Sequence, residues 1–270
     1  MSLMINKIIL GDCFDVLKNI PDGSVNAVIT DPPYKYLNHK LETDWDEKLF
    51  FTQCFRVLKN NSYLVFFGKG ISFFRWCVIA EKSGFVFKED IIWDKIRASN
   101  PLCDIPRSHE CIAIFAKGNP RFNEVRIDKI TYDLQGNPSA IISDIKRIIT
   151  SLKSVKSYEE LVEFRKGSLF DGSRHKKPGV SITSPVKDID RGSATFNALD
   201  QGRRFPTVYR HSLNNRNRNH PTEKPVILLK DLIKLTTNEG DTILDPFCGS
   251  GTTAIACKEL GRNYICVEKE

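Results

Sequence analysis

Between residues 241 and 267 a short apolar run, a glycine loop, a helical stretch and a second apolar run follow one another. A strand–loop–helix–strand unit satisfies that order. Residues 241–244 read as a strand, 245–251 as a tight loop, 252–260 as a helix ended by Gly261, and 264–267 as the next strand. The loop, Asp245-Pro246-Phe247-Cys248-Gly249-Ser250-Gly251-Thr252-Thr253-Ala254, contains G-x-G-x-x-A, and Glu268 closes the following strand 19 residues after Gly249. Glycines in such a loop let the backbone approach a ligand, and an acid at that spacing receives ribose hydroxyls. A nucleoside-bearing cofactor is expected. The loop alone leaves a nicotinamide cofactor and S-adenosylmethionine equally open.

The remainder of the chain falls into three parts. Residues 1–119 alternate short β-rich runs, at Val25–Thr30, 63–67, 91–93 and 111–116, with helical spacing over 46–58 and 71–83. Strands alternating with helices imply βαβ units and a mainly parallel sheet. Residues 120–219 are polar and basic, with 19 Lys+Arg against 11 Asp+Glu, a net of +8. The other residues hold 21 against 22, a net of −1, so this one segment carries the whole positive excess of a +7 chain. Helices are expected there over 143–152 and 158–166, with much of the rest as loop. A structureless loop of that length does not fit a compact domain, so the segment reads as a small inserted domain. Its charge is that of a solvated basic face or of a polyanion-binding surface. Residues 220–270 return to α/β order, beginning with a helix over 225–237 that Pro225 opens.

The choice of chemistry rests on the N-terminal half, where the strand Val25–Thr30 runs straight into Asp31-Pro32-Pro33-Tyr34. A strand ending there sets these groups at the carboxyl edge of the sheet, where open α/β folds bind ligands. The prolines hold φ near one value and so aim their carbonyls. Asp31 supplies an acceptor, and Tyr34 a flat face with a polar tip. Such groups suit a base amine, whose lone pair is delocalised into the ring. The Asp31 carboxylate and the Pro32 carbonyl can each take one N–H and turn the lone pair towards a methyl donor. Stacking on Tyr34 would hold the base for in-line attack once it has left the duplex.

Asp31-Pro32-Pro33-Tyr34, followed much later by Asp245-Pro246-Phe247-Cys248-Gly249-Ser250-Gly251, resembles the β group of DNA amino-methyltransferases. In that group the catalytic motif precedes the target-recognition region and the cofactor loop comes last. The resemblance extends to Gly11-Asp12-Cys13, Pro21-Asp22-Gly23-Ser24-Val25, Trp93-Asp94-Lys95, Ser108-His109-Glu110 and His220-Pro221-Thr222-Glu223-Lys224-Pro225, and covers the chain outside the basic insert. It implies a Rossmann-like α/β fold with a seven-stranded sheet, mostly parallel with one antiparallel strand. Residues 1–119 and 220–270 would be the catalytic and cofactor-binding halves, and 120–219 the target-recognition region.

The resemblance also implies S-adenosylmethionine as cofactor. Asp12 and Cys13 would meet its adenine, Glu268 its ribose, and Phe247, Cys248, Gly249, Ser250, Gly251 and Thr252 its methionine end. Asp31, Asp245 and Pro246 would line the pocket, with His220, Thr222 and Lys224 helping to close it. Asp31, Pro32, Pro33 and Tyr34 would be catalytic. An Asp before Pro-Pro-Tyr favours N6 of adenine in double-stranded DNA as the methyl acceptor. N4 of cytosine is the nearest alternative, and a DNA-binding module with an inactive cofactor pocket the more distant one. Arg203, Arg204, Arg216 and Arg218 are the candidate DNA contacts. A separately acting restriction endonuclease is a compatible partner, and both monomer and homodimer are open. The family continues into a further helix after its last strand, whereas this sequence stops at Glu270.

Composition narrows the rest. No apolar run approaches the roughly 18 residues of a membrane span, and the first residues lack the basic and apolar regions of a signal peptide, so a cytoplasmic protein without membrane association is expected. The eight cysteines are scattered, without a Cys-x-x-Cys pair or a His cluster, and read as buried or inert thiols with no metal site. His39, His175 and His211 read as surface residues, because this chemistry needs no imidazole base.

Overall fold

A computed structural model describes residues 5–34, 45–96, 104–106, 108–153, 195–212 and 223–269. Arg216, Arg218, His220, Thr222, His39, His175 and the helix expected over 158–166 lie outside the described residues. Two compact units are present, Met1–Val125 with Pro206–Glu270, and Arg126–Phe205.

In the first unit the elements follow in the order β1 (Lys7–Leu10), α1 (Cys13–Lys18), β2 (Val25–Thr30), α2 (Glu47–Val57), β3 (Leu58–Gly68), α3 (Gly70–Lys82), β4 (Val86–Asp94) and β5 (His109–Lys117). Each helix start has a local cause. Asp12 caps α1 by accepting the Phe14 N–H at 2.9 Å, and Asp46 caps α2 by accepting that of Leu49 at 2.9 Å. α3 has no side-chain cap; Gly70 at φ +60° turns the chain directly from β3 into it.

The second unit holds β6 (Arg126–Ile127), α4 (Lys129–Gly136), α5 (Pro138–Leu152) and β7 (Arg203–Arg204), with β6 and β7 paired antiparallel. Asp128 caps α4, and Pro138 opens α5. Lys129 is gripped by Asp133 and Asp144, and Arg147 meets Asp144 at 2.9 Å, so ion pairs tie the two helices together. Residues 129–136, expected as loop, are therefore helix, and the helix expected over 143–152 begins five residues earlier, at Pro138. Tertiary ion pairing and capping decide both, neither of which shows as hydrophobic periodicity.

The chain returns to the first unit with β8 (Val208–Arg210), α6 (Val226–Thr236), β9 (Thr242–Asp245), α7 (Thr252–Glu259) and β10 (Asn263–Glu268). Among the described residues the sheet order is β1-β10-β9-β2-β3-β5-β4-β8, eight strands where seven were expected. β5 pairs antiparallel with both β3 and β4, and every other pairing is parallel. The sheet is thus mostly parallel with one antiparallel strand, as expected. The additional strand is β8, three residues that pair with Ile92, Trp93 and Asp94 at the sheet edge. It carries Tyr209, whose buried hydroxyl donates to Asp231 on α6 at 2.8 Å.

A layer of aromatic side chains packs α2 and α3 onto the sheet. Phe50, Phe51, Phe66 and Trp76 are wholly buried and meet at ring separations of 5.4–6.3 Å. Burying each such side chain contributes roughly 1.5–3 kcal/mol. The strand order reverses between β9 and β2, because β2 leads on to β3 while β9 leads back through β10 to β1. The carboxyl ends at such a reversal leave a crevice in which α/β folds bind ligands. Asp31 directly follows β2, and Asp245 ends β9. Among the described residues no helix is long and apolar enough to cross a membrane.

Candidate active site at the sheet reversal

Asp31 ends a chain of four charges. Its carboxylate accepts from the Tyr34 hydroxyl and pairs with the Lys224 ammonium, which arrives from the segment just before α6. Lys224 also meets Glu110 at 3.2 Å, and Glu110 pairs in turn with Lys95. The side chains of Asp31, Lys224, Glu110 and Lys95 are 24%, 10%, 10% and 7% exposed, so only Asp31 reaches appreciable solvent. A charge buried to that degree is tolerated when it is paired and hydrogen-bonded.

The network sets each charge state. Burial pushes the Asp31 carboxyl up, against the pull of Lys224 and with the push of Glu110. Glu110 is held low, at about 2, where two ammonium groups outweigh its burial. Burial works against the Lys224 ammonium, and the two carboxylates overcome it, so this lysine stays charged. A carboxylate has about four lone-pair positions, and two are taken on Asp31.

The turn after Asp31 is held by its neighbours. Trp45 donates to the Pro33 carbonyl at 3.3 Å, and Ser72 donates to the Tyr34 carbonyl at 2.8 Å. No described residue donates to the Pro32 carbonyl. Asp31 and Pro32 are thus consecutive acceptors at the carboxyl end of β2. The Tyr34 ring stands 5.9 Å from Trp76, and its hydroxyl is bonded to Asp31.

Across the reversal, the loop after β9 is arranged by Asp245 and Glu268. Buried Asp245 accepts from the Thr253 hydroxyl at 2.5 Å and the Phe247 N–H at 3.2 Å, and burial pushes its carboxyl up to about 6. Phe247 packs on Trp45 and Phe50, at 5.7 and 5.4 Å. Glu268 accepts the Gly249 N–H at 2.6 Å, and Ser250 shares a 3.0 Å hydrogen bond with Thr252. Gly249 and Gly251 have φ of +52° and +80°, and a side chain at Gly249 would meet open space. α7 starts at Gly251 without a side-chain cap, leaving its first N–H groups directed at the loop. Asp12 and Cys13 lie across β10 at the start of α1, where Gly11 donates to the Glu268 carbonyl at 2.8 Å. Cys13 is buried, which pushes its thiol up to about 12.

The structure sets Asp12, Cys13, Asp31, Pro32, Pro33, Tyr34, Lys224, Asp245, Pro246, Phe247, Cys248, Gly249, Ser250, Gly251, Thr252 and Glu268 on loops and at the element ends that flank them, all in the first unit. Arg203 and Arg204 lie on β7 in the second unit. The Arg203 guanidinium covers the Tyr132 ring at 4.4 Å and stands 4.0 Å from Asp133, so it is engaged within its own unit, while Arg204 is exposed. His211 is half-buried rather than at the surface, because the pairing of β8 with β4 continues into a bond from its N–H to the Asp94 carbonyl, at 3.0 Å. Burial pushes its imidazole down. Glu110 and Lys95 were not among the site residues expected from sequence. Their signals were the strings Trp93-Asp94-Lys95 and Ser108-His109-Glu110, which the resemblance covers without assigning a role, and a charge at the end of a strand otherwise rich in apolar residues.

The family model described as DNA methylase matches residues 25–270. The type II methyltransferase M.HpaI of Haemophilus parainfluenzae is 26% identical over 275 residues, covering 98% of this chain and 70% of that protein. M.HinfI of Haemophilus influenzae is 25% identical over 289 residues, covering 98% of this chain and 65% of that protein. The chain thus spans about two-thirds of the length of these relatives. Among solved structures, the M1.HpyAVI–SAM complex superposes with a TM-score of 0.56 at 21% identity, covering 98% of this chain and 94% of that one. The cytosine-N4-specific PvuII DNA methyltransferase gives 0.58 at 17% identity, covering 98% and 82%.

Proposed function

The chain belongs to the DNA methylase family, and from that premise we propose that it transfers a methyl group from S-adenosylmethionine to N6 of adenine in double-stranded DNA. The observation that carries the reading is the pair of acceptors at the sheet reversal. Asp31 has lone pairs to spare, and the neighbouring Pro32 carbonyl has no donor among the described residues.

The residues beside this pair fit the cofactor. Glu268 keeps a carboxylate oxygen beyond the one on Gly249, suited to a ribose hydroxyl. The open face at Gly249 and the uncapped start of α7 suit close approach of a charged methionine end. Asp12 and Cys13 would flank the adenine. Bound there, S-adenosylmethionine supplies an electrophilic methyl on a sulfonium.

The protein's own part is orientation and charge. Asp31 and the Pro32 carbonyl accept the two N–H groups of the flipped base, which turns the nitrogen lone pair out of the ring. The N–C bond forms as the S–C bond breaks, and the nitrogen then sheds a proton. Asp31, pushed up by burial, is suited to receive it, directly or through water. Holding the base and the donor in line supplies a large part of the rate enhancement. The Arg126–Phe205 unit, within the basic stretch 120–219, serves as the target-recognition region in this reading.

The test is incubation with DNA of mixed sequence and labelled S-adenosylmethionine, then digestion and mass analysis of nucleosides. N6-methyladenine is expected. N4-methylcytosine, the product class of the PvuII neighbour, would keep the mechanism and overturn the base assignment. No cofactor binding at all would overturn the reading as an enzyme.

A further inference from the structure

Resting on the reading of Asp31 as the amine acceptor, we propose that Glu110, anchored by Lys95, divides the Lys224 ammonium with Asp31 and so keeps the Asp31 carboxylate a competent acceptor. Glu110 and Lys95 are positioning residues in this scheme, since neither touches the reacting atoms.

The topology brings the four charges together from separate elements. Asp31 follows β2, Lys95 follows β4, and Lys224 precedes α6. Glu110 stands near the start of β5, and because β5 alone runs antiparallel, its start lies at the same edge as the ends of β2 and β4. The ladder fixes the Lys95–Glu110 pair further. Trp93 is in register with Glu110, and the Lys95 N–H donates to the Ser108 carbonyl at 2.7 Å. Lys224 therefore sits between two carboxylates and has only one of them to itself on the crevice side.

A private Asp31–Lys224 pair would neutralise itself. The ammonium would then occupy the lone pairs that the substrate amine needs, and nothing would oppose it. With Glu110 on the far side of Lys224, the ammonium is shared instead of private; the four groups, two carboxylates and two ammoniums, sum to zero, and Asp31 is the most exposed of them. The Asp31 carboxylate faces the nitrogen that turns cationic on taking the methyl, a case of fixed charge placed where charge develops. Among the described residues, the other groups facing Asp31 are the Tyr34 hydroxyl on its own turn and Asp245 at the end of β9. One step further out stand Lys95 and, beside it, Lys69 at the start of α3. Of these only Glu110 and Lys95 change the sharing of Lys224 without touching the crevice.

Two substitutions of opposite sign test the scheme. The Asp31 carboxyl is titrated by carbon NMR in the full-length protein labelled at aspartate, and its signal is assigned by its loss in Asp31→Asn. Glu110→Gln is expected to lower the Asp31 midpoint by about one pH unit, as removal of a neighbouring like charge does. Lys95→Gln is expected to raise it. In single-turnover methylation, Glu110→Gln should move the acid limb to lower pH, reduce the plateau rate roughly tenfold as a weaker acceptor, and leave the KM for S-adenosylmethionine unchanged. An unmoved midpoint, an undiminished plateau, or movement of both variants in one direction overturns the proposal, since general loosening would not invert its sign. Should Glu110→Gln fail to fold, Lys95→Gln carries the titration alone. If the wild-type protein methylates no DNA while the midpoints move as expected, the functional reading fails and the charge-sharing stands. If it methylates DNA and the midpoints stay fixed, only the charge-sharing fails.

Discussion

Replacing Lys224 by methionine removes the one cation that Asp31 and Glu110 share while keeping most of the side-chain volume. The contact with Glu110 at 3.2 Å is worth about 5 kcal/mol of Coulomb energy at an effective dielectric of about 20. Desolvation of the ammonium offsets much of that gain in the folded protein. What remains after the substitution is two buried carboxylates, of which Glu110 keeps Lys95 and Asp31 keeps only a hydroxyl. Breaking a buried pair in this way costs about 3–5 kcal/mol. Asp31 is 24% exposed, so water relieves part of its share, and the lower end, about 3 kcal/mol, is the expected loss at pH 8.

The loss should depend on pH with a definite sign. Without Lys224 the Asp31 carboxyl, already pushed up by burial, rises further above its unfolded value, so its ionisation opposes folding more strongly in the variant. The penalty is full well above that folded value and fades as pH falls and the carboxyl takes up its proton. Wild-type Glu110 behaves oppositely, because its carboxyl is held at about 2 and its stabilising contribution persists until far lower pH. Urea unfolding followed by tryptophan fluorescence measures this directly, because Trp45, Trp76 and Trp93 are the chain's three tryptophans and all lie in the first unit. A difference between wild type and Lys224→Met that is under about 1 kcal/mol at pH 8, against the range above, or equal at pH 8 and pH 5, would show that Lys224 does not hold the two carboxylates in this way.

Three further outcomes are expected. Asp31→Ala should abolish methyl transfer while retaining S-adenosylmethionine binding by calorimetry; full activity in that variant would sink the proposed mechanism. Because burial pushes Asp245 up to about 6 from 3.8, the folded protein binds a proton that the unfolded chain has lost. Wild-type stability should therefore fall as pH rises from about 4 to 6 and then level off, by roughly 2–3 kcal/mol. Asp245→Asn should flatten that stretch of the urea midpoint-against-pH curve. Tyr209→Phe removes the hydroxyl that donates to buried Asp231 at 2.8 Å, and should cost about 1–3 kcal/mol in the same unfolding assay.

Much of the architecture was legible because it depends on local signals. The strand–loop–helix–strand unit of β9, α7 and β10 appears within a residue or two of its expected bounds, as do β2, α2 and α3. Apolar periodicity, the capping Asp46 and the turn at Gly261 all act over a few residues. β8 was not legible. Its three residues are a strand only because β4 offers an open edge to Val208, Tyr209 and Arg210. α4 was hidden for a similar reason, since Lys129 joins it to α5 through Asp133 and Asp144.

The candidate site divides in the same way. Asp31-Pro32-Pro33-Tyr34 and the glycine loop are contiguous strings, each tied to the end of a readable strand, so residue type and spacing alone pointed to an acceptor for an amine and a cradle for a nucleoside. Residues 31, 95, 110 and 224 are far apart in the chain, and no periodicity links them. They meet because the reversal of strand order between β9 and β2 and the antiparallel run of β5 bring four distant chain segments to one edge. Which groups can do the chemistry is readable from residue order alone, since that follows from local backbone and side-chain type. The fold decided their charge state, since electrostatic coupling depends on distance in space and on burial, and neither quantity is written in one dimension.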